Sequence, residues 1–136
     1  MSNTRFATAI HIMTLLAKDP QEWLTSDWLA GSININPVII RKELGNLKNS
    51  GLVESRQGKD GGVRIGKKAE DINVAEIYEA IKNSYVLGKK NQNPNPLCSV
   101  GKDINKNLNL LFAETDDLVY QFLKNKKLSD FTGQFD

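Results

Sequence analysis

Residues 36–65 read NPVIIRKELGNLKNSGLVESRQGKDGGVRI, and the change of period inside this run decides the fold. Asn36-Pro37 is a helix start: asparagine offers an N-cap oxygen, and proline is tolerated where the first N–H lacks a partner. Pro37, Ile40, Leu44 and Leu47 then step by three and four. That spacing puts one apolar stripe on a helix running to about Ser50, with Gly51 to stop it. From Leu52 the period shortens. LVESR, the turn-forming GKDGG and then VRI predict a β-hairpin with a loop of about five residues.

Toward the N-terminus, Thr25 is a good N-cap for a short helix over 26–31, with Ser26 and Asp27 in its first turn and Gly31 closing it. Residues 4–18 place Phe6, Ala9, Ile10, Met13, Leu16 and Ala17 on one helical face, and Asp19-Pro20 ends that helix. Downstream, Asn73 and Glu76 form a capping box that opens a helix to about Asn83, with Ile77 and Ile81 inward. Residues 84–103 are rich in Gly, Asn, Lys and Pro and read as a loop. Ile104, Leu108, Leu111, Thr115, Leu118 and Phe122 then step by four and three, a heptad-like seam on a helix of about 22 residues. Residues 126–136 read as a tail that docks through Leu128 and Phe131.

Helix, short helix, turn, helix and Gly-rich hairpin is the winged helix-turn-helix layout. The fold class expected is mainly α with a small β wing. The organisation expected is a winged helix-turn-helix DNA-binding domain over 1–83, a loop carrying Cys98 over 84–103, a dimerisation helix over 104–125 and the tail. In so small a chain the seam has no intrachain partner, so it is expected to pair with a second copy.

The chain is 40% apolar and 25% charged, as soluble globular proteins are. No stretch approaches the 18 or more apolar residues of a membrane span, which leads to the expectation of a cytoplasmic protein with no membrane partner. The net charge of +2 conceals an asymmetry: residues 37–68 hold eight basic against three acidic side chains. A local basic excess suits a phosphate-facing surface, although a solvated charged face has the same composition.

A recognition helix buries one stripe and offers another to the major groove. With Asn36 at its start, the outward face here carries Val38, Ile39, Arg41, Lys42 and Gly45. Arg41 can form paired hydrogen bonds to a guanine edge, and Val38 and Ile39 can touch a thymine methyl. Ile39 could equally pack beneath the first helix. In the wing, Arg56, Lys59 and Arg64 surround Gly58, Gly61 and Gly62. Glycines permit close approach to a sugar-phosphate backbone, and the basic side chains would neutralise phosphates. A tight turn with ordinary surface charge is the other reading of the same residues.

No catalytic site is legible. His11 is the single histidine, set on a helix beside apolar residues with no second ligand near it. Asp116 and Asp117 are adjacent on a helix and point to different sides. No glycine-rich phosphate loop opens a helix. The single cysteine excludes an intrachain disulfide and a multi-cysteine metal site within one subunit, so neither metal nor cofactor is expected. The functions left are a DNA-binding regulator acting on duplex DNA, and a winged helix that only docks on an acidic protein.

The run from Asn36 through Leu47, then Ser50-Gly-Leu-Val, then the Gly-rich wing, resembles the IscR/NsrR/CymR family of winged-helix transcriptional regulators. The segment Asn93-Pro-Asn-Pro-Leu-Cys-Ser-Val-Gly before a long helix is similar to a subgroup that lacks the iron–sulfur cluster. The resemblance covers about residues 5 to 125. It implies a homodimer whose long helix crosses onto the partner, recognition helices in successive major grooves, and wings in minor grooves. Cluster-binding members carry three cysteines before the dimer helix, whereas here only Cys98 stands, with Gly101 at the place of a histidine ligand. The wing has Lys59 and Asp60 where the family favours Pro and Gly.

Cys98 is the remaining candidate, as a redox trigger. It is expected in or near the first turn of the long helix, where the dipole and Lys102 would stabilise its thiolate. A buried cysteine that only packs is the alternative.

Overall fold

The computed structural model describes residues 4–135. Helix α1 (Arg5–Lys18) is followed by α2 (Ser26–Ile33) and α3 (Pro37–Asn49). Strands β1 (Val53–Arg56) and β2 (Gly62–Ile65) follow, then α4 (Val74–Ile81), α5 (Ile104–Lys124) and α6 (Leu128–Thr132). The molecule is mainly helical with one small antiparallel sheet, the winged helix-turn-helix expected.

Helix α1 is central, touching α2, α3, α4, α6 and β2. Its buried arc is therefore wider than one stripe and includes Ile12 beside Ala9, Met13 and Leu16. Ile40, Leu44 and Leu47 of α3 join it, with Leu29, Leu52, Ile72 and Ile77 closing the core. Truncating a leucine buried this fully costs about 2–5 kcal/mol.

Caps set the helix ends. Thr25 accepts from the Trp28 N–H at 3.1 Å and Asn36 from the Val38 N–H at 2.8 Å. Gly31 lies inside α2 and does not close it as expected. The end falls at Asn34, which takes the left-handed conformation (φ 64°) while its N–H reaches the Ala30 carbonyl. Asparagine tolerates that region, so the helix runs on until it meets one. The Asn73–Glu76 capping box forms in both directions. Helix α4 stops at Ile81 rather than near Asn83, because Lys82 is extended.

The hairpin pairs Val53 with Ile65 and Arg56 with Gly62 across a five-residue loop. A short third strand, absent from the sequence reading, completes the sheet: Leu24 and Val63 exchange two N–H···O bonds of 2.8 Å.

The segment read as a tail folds back. Val74 donates to the Lys126 carbonyl and Leu128 to the Ile72 carbonyl, both at 2.8 Å. Leu128 is fully buried and α6 lies on α1. Two backbone bonds and one buried leucine hold what looked from composition like an end. Among the described residues no helix is long and apolar enough to cross a membrane.

Candidate nucleic-acid interface

Helix α3 is held from behind by its apolar stripe and by one ion pair that the sequence reading missed. Glu43, almost wholly buried, accepts from Arg5 Nε (2.9 Å) and Nη2 (3.1 Å) and from Asn46 Nδ2 (3.0 Å). Burial alone would raise this carboxyl. The hydrogen bonds from Arg5 and Asn46 outweigh it and hold the group below the usual carboxylate range. Pro37 and Ile40 face inward, so the opposite side of the first turns points outward.

On that side Val38 is 63% and Ile39 46% exposed, and Arg41 and Lys42 are exposed beside them. Ile39 does not pack beneath α1. Arg41 has Asp27 of α2 at 3.8 Å, a solvent-exposed contact of the kind that contributes little. Asn36 spends its side-chain oxygen on the Val38 cap. Trp28, half-exposed on α2, was not singled out by sequence.

In the wing the three basic residues differ. Lys59 projects from the loop tip and is exposed. Arg56 donates to the Asp60 carbonyl at 2.5 Å, and Arg64 is paired with Glu54. Both guanidinium groups lie over the Trp23 ring, 4.5 and 4.3 Å from its centre. Trp23 is a second residue the sequence reading missed; its only sequence signal is its place beside Leu24, in a strand too short to show a period.

The wing glycines do more than give the tip room to approach a ligand. A Cβ on Gly61 would stand 2.1 Å from the Arg56 carbonyl oxygen, and one on Gly62 (φ +152°) 2.6 Å from that of Leu24. Both are demanded by the wing's own backbone. Gly58 alone has open space around it, with φ +102°.

The seam of α5 is unevenly covered. Leu118 is 73%, Phe122 63% and Leu111 51% exposed, whereas Ile104, Leu108 and Thr115 are partly covered. The opposite side rests on the molecule. Phe112 is buried with its ring 5.4 Å from Tyr85, and Asp116 accepts from the Val86 N–H at 2.9 Å.

Cys98 is exposed and sits in the run of turns before α5, not in its first turn. The N–H groups of Gly101 and then Val100 hold its thiol below the ordinary value, in the role that the helix dipole and Lys102 were expected to fill. Gly101 is itself required there, because a Cβ would stand 2.4 Å from the Asn95 carbonyl oxygen. His11 is exposed on α1, on the wall of a groove with Leu15, Phe131 and Phe135.

A family model described as "Rrf2, iron-dependent transcriptional regulator" matches residues 2–134. YwnA of Bacillus subtilis, provisionally named an HTH-type transcriptional regulator, is 36% identical over 130 residues, which span 96% of each chain. A solved structure described provisionally as a DNA-binding protein is 31% identical, with 93% of this chain and 97% of that one covered and a TM-score of 0.73. The structure of CymR, described as the global cysteine regulator of Bacillus subtilis, shares the fold at a TM-score of 0.71, with 21% identity over 100% of this chain and 98% of that one. The iron in that family description can be tested against the donors present. A cluster needs about four ligands, and two copies of this chain would bring two cysteines. Among the described residues no group of three or more His, Cys, Asp or Glu could hold a metal ion. The donor set does not fit an iron–sulfur cluster.

Proposed function

The chain belongs to the Rrf2 family of transcriptional regulators, and from that premise we propose that it acts in the cytoplasm as a homodimer that grips an inverted repeat in duplex DNA and represses the adjoining genes. It is a regulator and not an enzyme. The observation that carries the proposal is the outward face of α3. Val38 and Ile39 stand exposed at the start of that helix, next to Arg41 and Lys42. Two exposed apolar side chains beside two cations match what a major groove offers: thymine methyls, guanine acceptors and flanking phosphates. Lys59 and the Arg56–Arg64 pair extend the basic surface onto the wing.

The dimer in this reading forms along α5, where Leu111, Leu118 and Phe122 lie exposed at heptad spacing. A two-fold dimer reads a two-fold site, with half-site centres about 10 or 20 base pairs apart. Repression follows from occupancy, since a bound dimer excludes other proteins from the same duplex.

Cys98 is the proposed entry point for a redox signal. Peroxide would transfer one oxygen to the thiolate, forming the S–O bond as the O–O bond breaks and hydroxide leaves. The exposed position of the thiol and the two N–H groups that favour the thiolate support this reading.

The test is selection of duplexes from a random pool by the purified chain, followed by footprinting. Enrichment of an inverted repeat, with affinity falling steeply as salt rises, is the expected result. No enrichment, together with binding to an acidic protein surface, would make the wing and α3 a protein-docking face.

A further inference from the structure

We infer that Trp23 is a positioning residue for the wing's contact with duplex DNA, holding the guanidinium groups of Arg56 and Arg64 in place on one face of the sheet; the inference rests on the DNA-binding reading above.

The register of the sheet carries the argument. Glu54 pairs with Arg64, and Arg56 with Gly62. Paired residues share a face and alternate residues repeat it. Glu54, Arg56, Gly62 and Arg64 therefore lie on one face, and Ser55 and Val63 on the other, the face on which Val53 and Ile65 enter the core. Leu24 pairs with Val63, so Trp23 stands opposite Arg64 on the same outer face as the arginines. Across the sheet the rows run Trp23, Arg64, Glu54 and then Thr25, Gly62, Arg56.

Arg56 is on the far strand, yet its guanidinium lies 4.5 Å from the Trp23 ring centre. It crosses the central strand over Gly62, where there is no side chain to block it. Arg64 lies between Glu54 and the ring, 4.3 Å from the ring centre. One indole thus gathers the two wing cations, which would otherwise sample many rotamers and repel each other. A long cationic side chain loses rotamer freedom when it meets a phosphate; the ring removes part of that freedom beforehand.

The experiment is a cycle of variants read by anisotropy of a labelled duplex selected from the random pool. Trp23→Leu keeps apolar bulk and removes the π face; Trp23→Phe restores it. Trp23→Leu is expected to weaken binding roughly tenfold in the otherwise unchanged chain, with no change in base preference. It should have no further effect in a chain carrying Arg56→Ala and Arg64→Ala, and Trp23→Phe should recover most of the affinity. A second reading does not involve DNA. In a Trp28→Phe chain Trp23 is the single tryptophan, and the two arginine substitutions should open it to acrylamide quenching. Equal losses from Trp23→Leu in both arginine backgrounds, or no rescue by Phe, would mean a purely structural role and overturn the proposal alone. Failure of the unchanged chain to bind any selected duplex would overturn the DNA-binding reading, and the proposal with it.

Discussion

Arg5 and Glu43, 38 residues apart, are joined by two parallel hydrogen bonds of 2.9 and 3.1 Å that tie α1 to the inner side of α3. The bonds are charge-assisted and bidentate, so they fix orientation as well as distance. This ion pair, more than any surface charge, sets the angle at which α3 presents its outer face.

Breaking the pair from the arginine side leaves a buried carboxylate without its cation. Arg5→Met is expected to cost about 3–5 kcal/mol in urea unfolding at neutral pH, and Glu43→Gln less, because an amide still accepts one bond. Glu43 is held below its ordinary pKa, so its contribution is present above the unfolded value of about 4.3 and is lost as pH falls through the lower folded value. The gap between wild type and Arg5→Met should therefore narrow in acid. A gap that stays constant from pH 7 to pH 3 would show that the pair is not the cause.

Arg41 and Lys59 should fail differently. Arg41→Ala is expected to cost roughly 1–3 kcal/mol and relax preference at one base, whereas Lys59→Ala weakens all sequences alike and lowers the salt slope by about one. Uniform losses from both would make Arg41 a phosphate contact only. Competition binding against single-base variants of the selected site measures the difference.

Leu111→Glu with Leu118→Glu puts two charges on the exposed seam of α5. Neither side chain contributes to the core within one protomer, so the fold should survive while sedimentation gives monomers. Undiminished dimer affinity would place the contact elsewhere.

Mild peroxide or disulfide treatment should lower operator affinity in wild type but not in Cys98→Ser. The thiolate is favoured by the Gly101 and Val100 N–H groups, so the reaction rate should rise with pH and level off below the pH usual for a free cysteine. Full affinity in a sample that mass spectrometry shows to be modified at Cys98 would send the signal to another site.

Gly62→Ala brings a Cβ to 2.6 Å from the Leu24 carbonyl oxygen at a φ of +152°. Backbone must move, so the Leu24–Val63 bridge should open and thermal stability drop. An unchanged melting temperature would mean that the third strand is dispensable.

Local chemistry made much of this protein legible. The Asn36 and Asn73 caps, the shift of period at Leu52 and the five-residue hairpin loop each depend on residues within one turn of one another. The exposed face of α3 followed from its buried stripe, because a helix that buries one side must show the other. Where a single residue's tolerance decided the outcome, local reading fell short: α2 passes Gly31 and stops at Asn34, because the left-handed residue there is the asparagine.

Sequence alone determined the winged helix-turn-helix order, the basic surface and the apolar seam on α5, since each is written in short-range periodicity. The tertiary structure decided which groups meet. Arg5 reaches Glu43 across the core, Leu24 adds a strand to the wing, Trp23 gathers Arg56 and Arg64, and Leu128 returns the C-terminal segment to Ile72. Such contacts join residues far apart in the chain, and no period within a single element encodes them. They exist because α1 sits at the centre and the elements folded around it bring distant side chains within bonding distance.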